Sequence, residues 1–216
     1  MARTQAPDYE QRREAILDKA AELFAAVGFQ GASIADLASA CASSKSLIYH
    51  YYPSKEEILY AVMASHLDVL VEEMEQATSS DDDARIVLRR LLDGFMRHYV
   101  GAADRHKVLL NELGNLPPER REVIVRQQRK VIEAVQKLIV EIHPQLAAEP
   151  VLARAYTMLL FGMINWTSTW FDPAGPLSAE AIADLAFERT VAPVTADISV
   201  KPQTRGKRRS AARSQA

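Results

Sequence analysis

The sequence has little cysteine, no long hydrophobic run and no excess of charge of one sign. Cys41 is the single cysteine among 216 residues, which excludes an internal disulfide. No apolar stretch approaches the roughly 18 residues that span a bilayer, and the first residues, MARTQAPDYEQRRE, carry no apolar signal region. We therefore expect a cytoplasmic protein without a membrane partner, in which Cys41 is a small turn residue.

The charge balance limits how the chain can bind nucleic acid. The formal net charge is −2, and acidic side chains offset the Lys and Arg of residues 1–55. Because dedicated nucleic-acid domains are usually strongly basic, affinity for DNA cannot come from bulk charge here. It requires cations gathered on one face and helix N-termini that point amides at phosphates.

Sequence patterns of catalysis are also missing. The five histidines form no HExxH motif, and none follows a glutamate by three residues, as the ligands of a di-iron helical bundle do. A Gly-rich phosphate loop, a nucleophile elbow and a second cysteine for a zinc pair are absent. We predict no catalytic residue, no metal site and no cofactor, so the chain is not an enzyme.

Apolar residues recur at helical spacing along the chain, and strand patterns are absent. The fold class is therefore all-α: an N-terminal three-helix head joined to a C-terminal helical body. The predicted domains are the head, residues 1–53, a ligand-binding and dimerisation domain, 54–192, and a disordered basic tail, 193–216. The predicted helices span 9–27, two short segments between 33 and 53, 55 into the seventies, 84–103, 104–113, 119–142, 150–171 and 178–191.

Two short helices between residues 33 and 53 predict a helix-turn-helix. Ser33 and Asp36 suit the start of the first helix, and Pro53 ends the second. In such a motif the N-terminal residues of the second helix reach base edges in the major groove. We predict that four residues face bases and four others hold phosphates. The base-facing set is Ser44, Lys45, Ser46 and Leu47; the phosphate set is Ser33, Tyr49, His50 and Lys55.

This stretch resembles the DNA-binding segment of the TetR family of bacterial transcriptional regulators. The run YHYYPSKEE is its most specific part, and the resemblance implies a dimeric DNA-binding regulator. Ala42 stands where the family usually has glycine, which implies a turn that avoids positive φ or bears strain. The matching residues are Ser33, Asp36, Leu37, Ala38, Ser44, Lys45, Tyr49, His50, Tyr51, Tyr52, Pro53, Ser54, Lys55 and Glu56.

The segment Tyr156–Phe171 is apolar nearly all round, and a helix of this kind must be covered on every side. With the last helix it predicts a four-helix interface of a homodimer, although an internal core helix is the alternative. A dimer would place its two reading helices about 34 Å apart on a palindromic operator.

The run NWTSTWFDPAGPLSAEAIADL resembles the C-terminal segment of TetR-like regulators that respond to acyl-coenzyme A. The resemblance implies a small-molecule effector, with a fatty acyl-CoA or phenylacetyl-CoA as the first candidate class. Aromatic residues suit an acyl cavity, and arginines suit its phosphates. The candidate ligand-binding residues are Phe95, Tyr99, Phe161, Trp166, Trp170, Arg126 and Arg129.

The combined prediction is a repressor that binds its operator as a dimer and is released when an effector tilts the helix that starts at Lys55. Two alternatives stay open. One is a TetR-like regulator of a free hydrophobic compound. The other is a helical small-molecule-binding or scaffold protein without specific DNA binding.

Overall fold

The structure is a computed structural model that describes residues 7–194. Within that range it contains ten α-helices and two short 3-10 turns, Leu113–Asn115 and Pro144–Ala148, and no strand. The all-α prediction is confirmed. Residues 1–6 of the predicted head and most of the predicted basic tail, 193–216, lie outside the described residues. The helices are α1 Pro7–Gly31, α2 Ile34–Ala40, α3 Lys45–Tyr51, α4 Lys55–Thr78, α5 Ala84–Gly101, α6 Ala103–Asn111, α7 Pro118–Ile142, α8 Pro150–Asn165, α9 Thr167–Trp170 and α10 Ala179–Val191.

The head consists of α1, α2 and α3. Gly28 interrupts the helical dihedrals of α1 with φ 75° and ψ 160°, a region that glycine reaches without a Cβ clash. The chain turns there, which places Phe29 in the core with its ring centroid 5.5 Å from that of Phe24. The first helix was predicted to end at residue 27, and the regular dihedrals do break at the next residue, Gly28.

Side-chain caps fix the two short helices of the head. Ser33 Oγ accepts from the amide of Asp36 at 3.2 Å, and Asp36 Oδ2 accepts from the amide of Ser33 at 3.0 Å, which is the predicted capping box. Ser44 Oγ accepts from the amide of Leu47 at 3.2 Å and starts α3. Between the two helices Ala42 has φ 46°, a positive value that strains a residue with a Cβ. Of the two turn conformations expected for an alanine at this position, the strained one is found.

The body is built around α4, which leaves the head and runs through the centre of the molecule. Its inward side buries ten residues, from Ile58 to Ala77, and it packs on α1, α5, α6 and α7. Ser54 and Glu57 have the spacing of a capping box at the start of α4, but only half of it forms. Ser54 Oγ accepts from the amide of Glu57 at 3.1 Å, but the carboxylate of Glu57 binds Arg120 instead, because α7 brings that guanidinium within reach.

The apolar segment predicted as one helix is divided in two. α8 ends at Asn165, and Thr167 Oγ1 donates to the carbonyl of Ile164 at 2.5 Å as the short α9 begins. One side of α8 is buried against the body, while Met158, Leu159 and Met163 on the other side are exposed. None of the helices in residues 7–194 combines the length and apolar character needed to cross a membrane.

Candidate DNA-binding surface and effector site

Six predicted DNA-contacting residues surround the exposed end and side of α3. The helix is held from beneath by Ile48, which is fully buried, while Tyr49 keeps half of its side chain exposed. In a helix this short, Ile48 occupies the buried face, so the side chains of the N-cap and of the first turn are all exposed to solvent. The six exposed residues are Ser44, Lys45, Ser46, Leu47, Tyr49 and His50.

Aromatic contacts with α1 orient the C-terminal half of α3. Tyr9 lies 4.8 Å from Tyr51 and 6.5 Å from His50 between ring centroids. Tyr52 is buried beside Arg13, whose guanidinium carbon is 5.6 Å from the ring centroid. Sequence reasoning missed Tyr9 as a support of α3, because the pairing depends on how α1 crosses that helix.

Ser33 and Lys55 are placed differently from their predicted phosphate-binding roles. The hydroxyl of Ser33 donates to Asp36 Oδ2 at 2.6 Å. This hydrogen bond, followed in size by that of the Ser33 backbone N–H, lowers the pKa of the Asp36 carboxyl. That carboxylate repels a phosphate. Lys55 Nζ donates to the carbonyls of Phe29 and Ala32, each at 2.8 Å, which leaves one N–H for DNA. Their phosphate contacts stay predictions.

Arg105 joins the head to the body. Its side chain is only 11% exposed, and it donates to three groups on two other helices. Nη2 donates to Glu14 Oε1 at 2.5 Å and to Asp18 Oδ1 at 2.8 Å, both on α1, while Nη1 donates to Ser65 Oγ on α4 at 2.8 Å. We call these three hydrogen bonds the Arg105 clasp. They connect α6 to the head and to the central helix at the same point.

A second connection lies at the start of α4. Arg120 on α7 donates Nε and Nη2 to the two carboxylate oxygens of Glu57 at 2.8 and 2.6 Å, the paired geometry that suits a guanidinium. Its guanidinium carbon also lies 4.3 Å from the ring centroid of Tyr60. Together with the Arg105 clasp, this pair connects the head-proximal half of α4 to α6 and α7.

Three of the predicted ligand-binding residues come together in the body. Phe95 and Tyr99 on α5 stack with ring centroids 6.1 Å apart, and Phe161 on α8 lies 6.4 Å from Phe95. All three are buried. Burial also raises the pKa of the Tyr99 phenol, so its hydroxyl stays protonated.

The structure does not bring the other four predicted ligand residues to this cluster. Trp166 and Trp170 remain 66% and 53% exposed beside the exposed side of α8, because the chain breaks its helix between α8 and α9. Arg126 and Arg129 lie on the exposed side of α7, where Arg126 contacts Glu122 at 3.4 Å. The ligand-binding roles of these four residues stay predictions.

Two concavities lie outside the aromatic cluster. A cleft of about 1020 Å³ separates α1 and the α2–α3 turn from the end of α5 and the start of α6. A groove of about 420 Å³ follows α5 beside Phe187. Neither is lined by a predicted ligand-binding residue.

These features define a class of protein: a helical DNA-binding regulator, with a helix-turn-helix head connected to a larger helical body. Comparisons with known proteins agree. The family model described as tetracyclin repressor-like, C-terminal domain, matches residues 81–192, and that of the bacterial regulatory proteins of the tetR family matches residues 16–62. Since the first match alone covers more than half of the chain, the protein belongs to the TetR family.

Similar proteins carry the same architecture over most of their length. A TetR-family transcriptional regulator from Bordetella parapertussis 12822 has a TM-score of 0.81 at 34% identity, covering 87% of this chain and 98% of that one. AibR in complex with isovaleryl coenzyme A and operator DNA has a TM-score of 0.72 at 27% identity, covering 82% and 97%. The repressor KstR2 of Mycolicibacterium smegmatis is 27% identical over 185 residues, 79% of this chain and 84% of KstR2.

Proposed function

We propose that this protein is a homodimeric, cytoplasmic repressor that binds a palindromic operator and is released by an acyl-coenzyme A thioester. The observation that carries the DNA-binding half is α3, whose exposed residues include short hydrogen-bonding side chains, Lys45 and Tyr49 around its first turns. Lys45 supplies the cation that reads guanine most often, and Tyr49 supplies a phosphate contact. The proposed head ends at residue 53, just before α4 begins.

The exposed apolar side of the body supports a dimer. Leu159 on α8 is 66% exposed, and four more large apolar side chains are exposed nearby: Met158 and Met163 on α8, Trp166 directly after it, and Leu185 on α10. Monomers rarely leave so many large apolar side chains on one region of the surface, and a two-fold axis would cover them. We therefore place Trp166 at the subunit interface rather than in the effector site.

Effector binding is placed in the body, at the cluster of Phe95, Tyr99 and Phe161. The neighbour AibR was crystallised with isovaleryl coenzyme A and operator DNA, which supports an acyl-CoA as the first class to test. Release follows if the effector moves α6, because the Arg105 clasp transmits that movement to α1 and α4. Coupling between two such sites is typically worth about 1–3 kcal/mol, or roughly 5 to 150-fold in operator affinity.

A second candidate effector is a free hydrophobic compound. The exposed positions of Arg126 and Arg129, away from the buried rings, favour it, since a coenzyme A thioester needs cations near its phosphates. Both candidates share the same head and dimer, and the effector alone distinguishes them.

The experiment that tests this function selects bound duplexes from a random DNA pool, with and without a panel of acyl-CoA compounds. An enriched palindrome that is lost with one thioester supports the repressor and the effector class. A palindrome indifferent to every thioester keeps the repressor and favours the free compound. Absence of any enrichment favours a helical binding protein without specific DNA binding.

Two variants then test the docking of α3. Tyr49→Ala should weaken binding to all sequences alike, whereas Lys45→Ala should also relax preference at one base pair, with a loss of about 1–3 kcal/mol. Lys137→Ala on the exposed side of α7 is the matched control for loss of one lysine charge. Parental affinity in both head variants would contradict the docking.

A further inference from the structure

Two buried imidazoles join α4 to α6 beneath the Arg105 clasp. His66 and His106 are 3% and 2% exposed, and His66 Nε2 lies 3.2 Å from His106 Nδ1. Burial lowers the pKa of His66 to about 4 and that of His106 to about 3, so both rings are neutral at pH 7. One ring therefore donates to the other, and the proton has two possible arrangements.

The second ring nitrogen of His106 is a buried polar atom without a hydrogen-bond partner. If Nδ1 donates to His66, Nε2 is a bare acceptor. If Nδ1 accepts, Nε2 carries the remaining N–H. In both arrangements a buried hydrogen-bonding site is unsatisfied, which is rare in folded proteins and unfavourable.

The ring of His106 lies at one end of a continuous series of rings. Tyr99 stacks on His106 with centroids 3.6 Å apart, Phe95 follows Tyr99, and Phe161 follows Phe95. We call this series the aromatic ladder; it crosses from α6 through α5 to α8. All four rings are buried, so a ligand enters only where packing between the helices opens. Apolar rings beside one unsatisfied polar atom have the composition of small-molecule sites in proteins.

We propose that His106 recognises the effector, its Nε2 binding a neutral carbonyl or hydroxyl group of a molecule whose apolar part lies along the aromatic ladder. The inference rests on the proposed function, which places an effector in the body, and adds the class of polar group. Because the tautomer of the histidine pair can change, Nε2 can either donate or accept.

The same chemistry rejects a carboxylate. An anion in this apolar region needs a cation or several donors, and the histidine pair is neutral. The guanidinium of the adjacent Arg105 is already bound by Glu14, Asp18 and Ser65. A thioester has a neutral carbonyl, whereas its free acid is ionised at pH 7, so the site distinguishes an acyl-CoA from the corresponding acid.

The test uses three probes with one benzene ring each: acetophenone, ethylbenzene and benzoate. They are titrated into the full-length protein labelled with ¹⁵N-histidine at pH 7.5, and the ring nitrogens of His106 are followed by NMR. Acetophenone should bind about tenfold more tightly than ethylbenzene and shift the Nε2 resonance, while benzoate binds most weakly. Equal binding of acetophenone and ethylbenzene, tightest binding of benzoate, or no shift at His106 with any probe would overturn the proposal.

Two variants separate recognition from structure. His106→Phe keeps a ring on Tyr99 and should bind acetophenone and ethylbenzene equally. His106→Gln keeps a donor and an acceptor and should retain part of the preference, which also covers the case that the Phe variant does not fold. His98→Gln, at a half-buried histidine that contacts Glu73 at 3.1 Å, is the control and should leave the preference unchanged. Retention of the full preference in a folded His106→Phe protein would refute the role of Nε2.

Failure of this inference is distinguishable from failure of the proposed function. The probe titrations contain no DNA, and the operator selection uses no His106 variant. A probe preference without any selected operator supports the recognition role and removes the repressor. A palindrome released by a thioester, with probes that bind without regard to His106, supports the repressor and refutes the recognition role of His106.

Discussion

Loss of the Arg105 clasp should lower the stability of the protein and weaken the effect of effector binding in the body on DNA binding by the head. Arg105→Met keeps most of the aliphatic length and removes all three hydrogen bonds. We assign about 1 kcal/mol to the bond with Ser65, and about 0.5 kcal/mol to each carboxylate, because Glu14 and Asp18 are more than half exposed. The expected loss in free energy of unfolding is therefore about 2 kcal/mol, or about 4–8 °C in the thermal midpoint.

We also expect Arg105→Met to change the response to the effector. Without the clasp, a movement of α6 no longer reaches α1 through a hydrogen bond, so the effector-induced change in operator affinity should fall towards onefold. Amides of α1 should also exchange hydrogen faster, since the head loses a connection to the body.

Urea unfolding, hydrogen exchange of α1 and operator titration with the releasing compound measure these effects. Arg189→Met is the matched control, because Arg189 is exposed and makes one contact, with Glu188 of its own helix. It should change the free energy of unfolding by less than about 0.5 kcal/mol. If Arg105→Met kept the parental stability and effector response, the clasp would not transmit the signal.

Three further predictions concern backbone strain, close packing and pH. Ala42→Gly relieves the positive φ of the turn and should raise the free energy of unfolding by about 1 kcal/mol; a lower value in urea unfolding would show that the turn is unstrained. Gly94→Ala places a Cβ against the side chain of Glu73, which must move and lose its contacts with Arg97 and His98, so it should destabilise the protein by about 1–3 kcal/mol. Gly101→Ala, with no neighbour within 4 Å, should be neutral or stabilising, and equal effects of the two changes would contradict the packing of α5 on α4. The pKa values of His66 and His106 are lowered in the folded state, so the unfolded chain binds more protons around and below pH 6.5. The free energy of unfolding should therefore fall by about 1.4 kcal/mol per histidine between pH 8 and 5.5. Urea titrations of a His66→Leu, His106→Leu protein should lack this part of the dependence of stability on pH.

Local signals in the sequence were reliable because their partners lie within a few residues. Ser33 with Asp36, Ser44 with the amide of Leu47, and the break at Gly28 all depend on atoms one turn apart. The same holds for the first turn of α3, whose exposed residues follow from its short length and from Ile48 beneath it. The fold class and the candidate DNA-binding surface could therefore be predicted before the structure.

Roles that depend on distant partners could not be predicted in this way. Lys55 matches a family motif, but its ammonium is held by two carbonyls of the head. Trp166 lies in an apolar run that predicts one helix, and the break after Asn165 leaves its side chain exposed. In both cases the residue type was informative, while its direction depended on the packing of another helix.

The sequence by itself determined that the chain is helical, where most helices begin, and which family its head resembles, since capping and apolar periodicity are local properties. Only the tertiary structure decided that Arg105 connects to Glu14, 91 residues away, and that His66 meets His106 in the core. Such contacts arise when helices pack, and a hydrogen bond of about 3 Å depends on a crossing geometry that no local pattern encodes. The proposed reader of DNA is therefore visible in the sequence, whereas the proposed effector site and its connection to the head appear only in the fold.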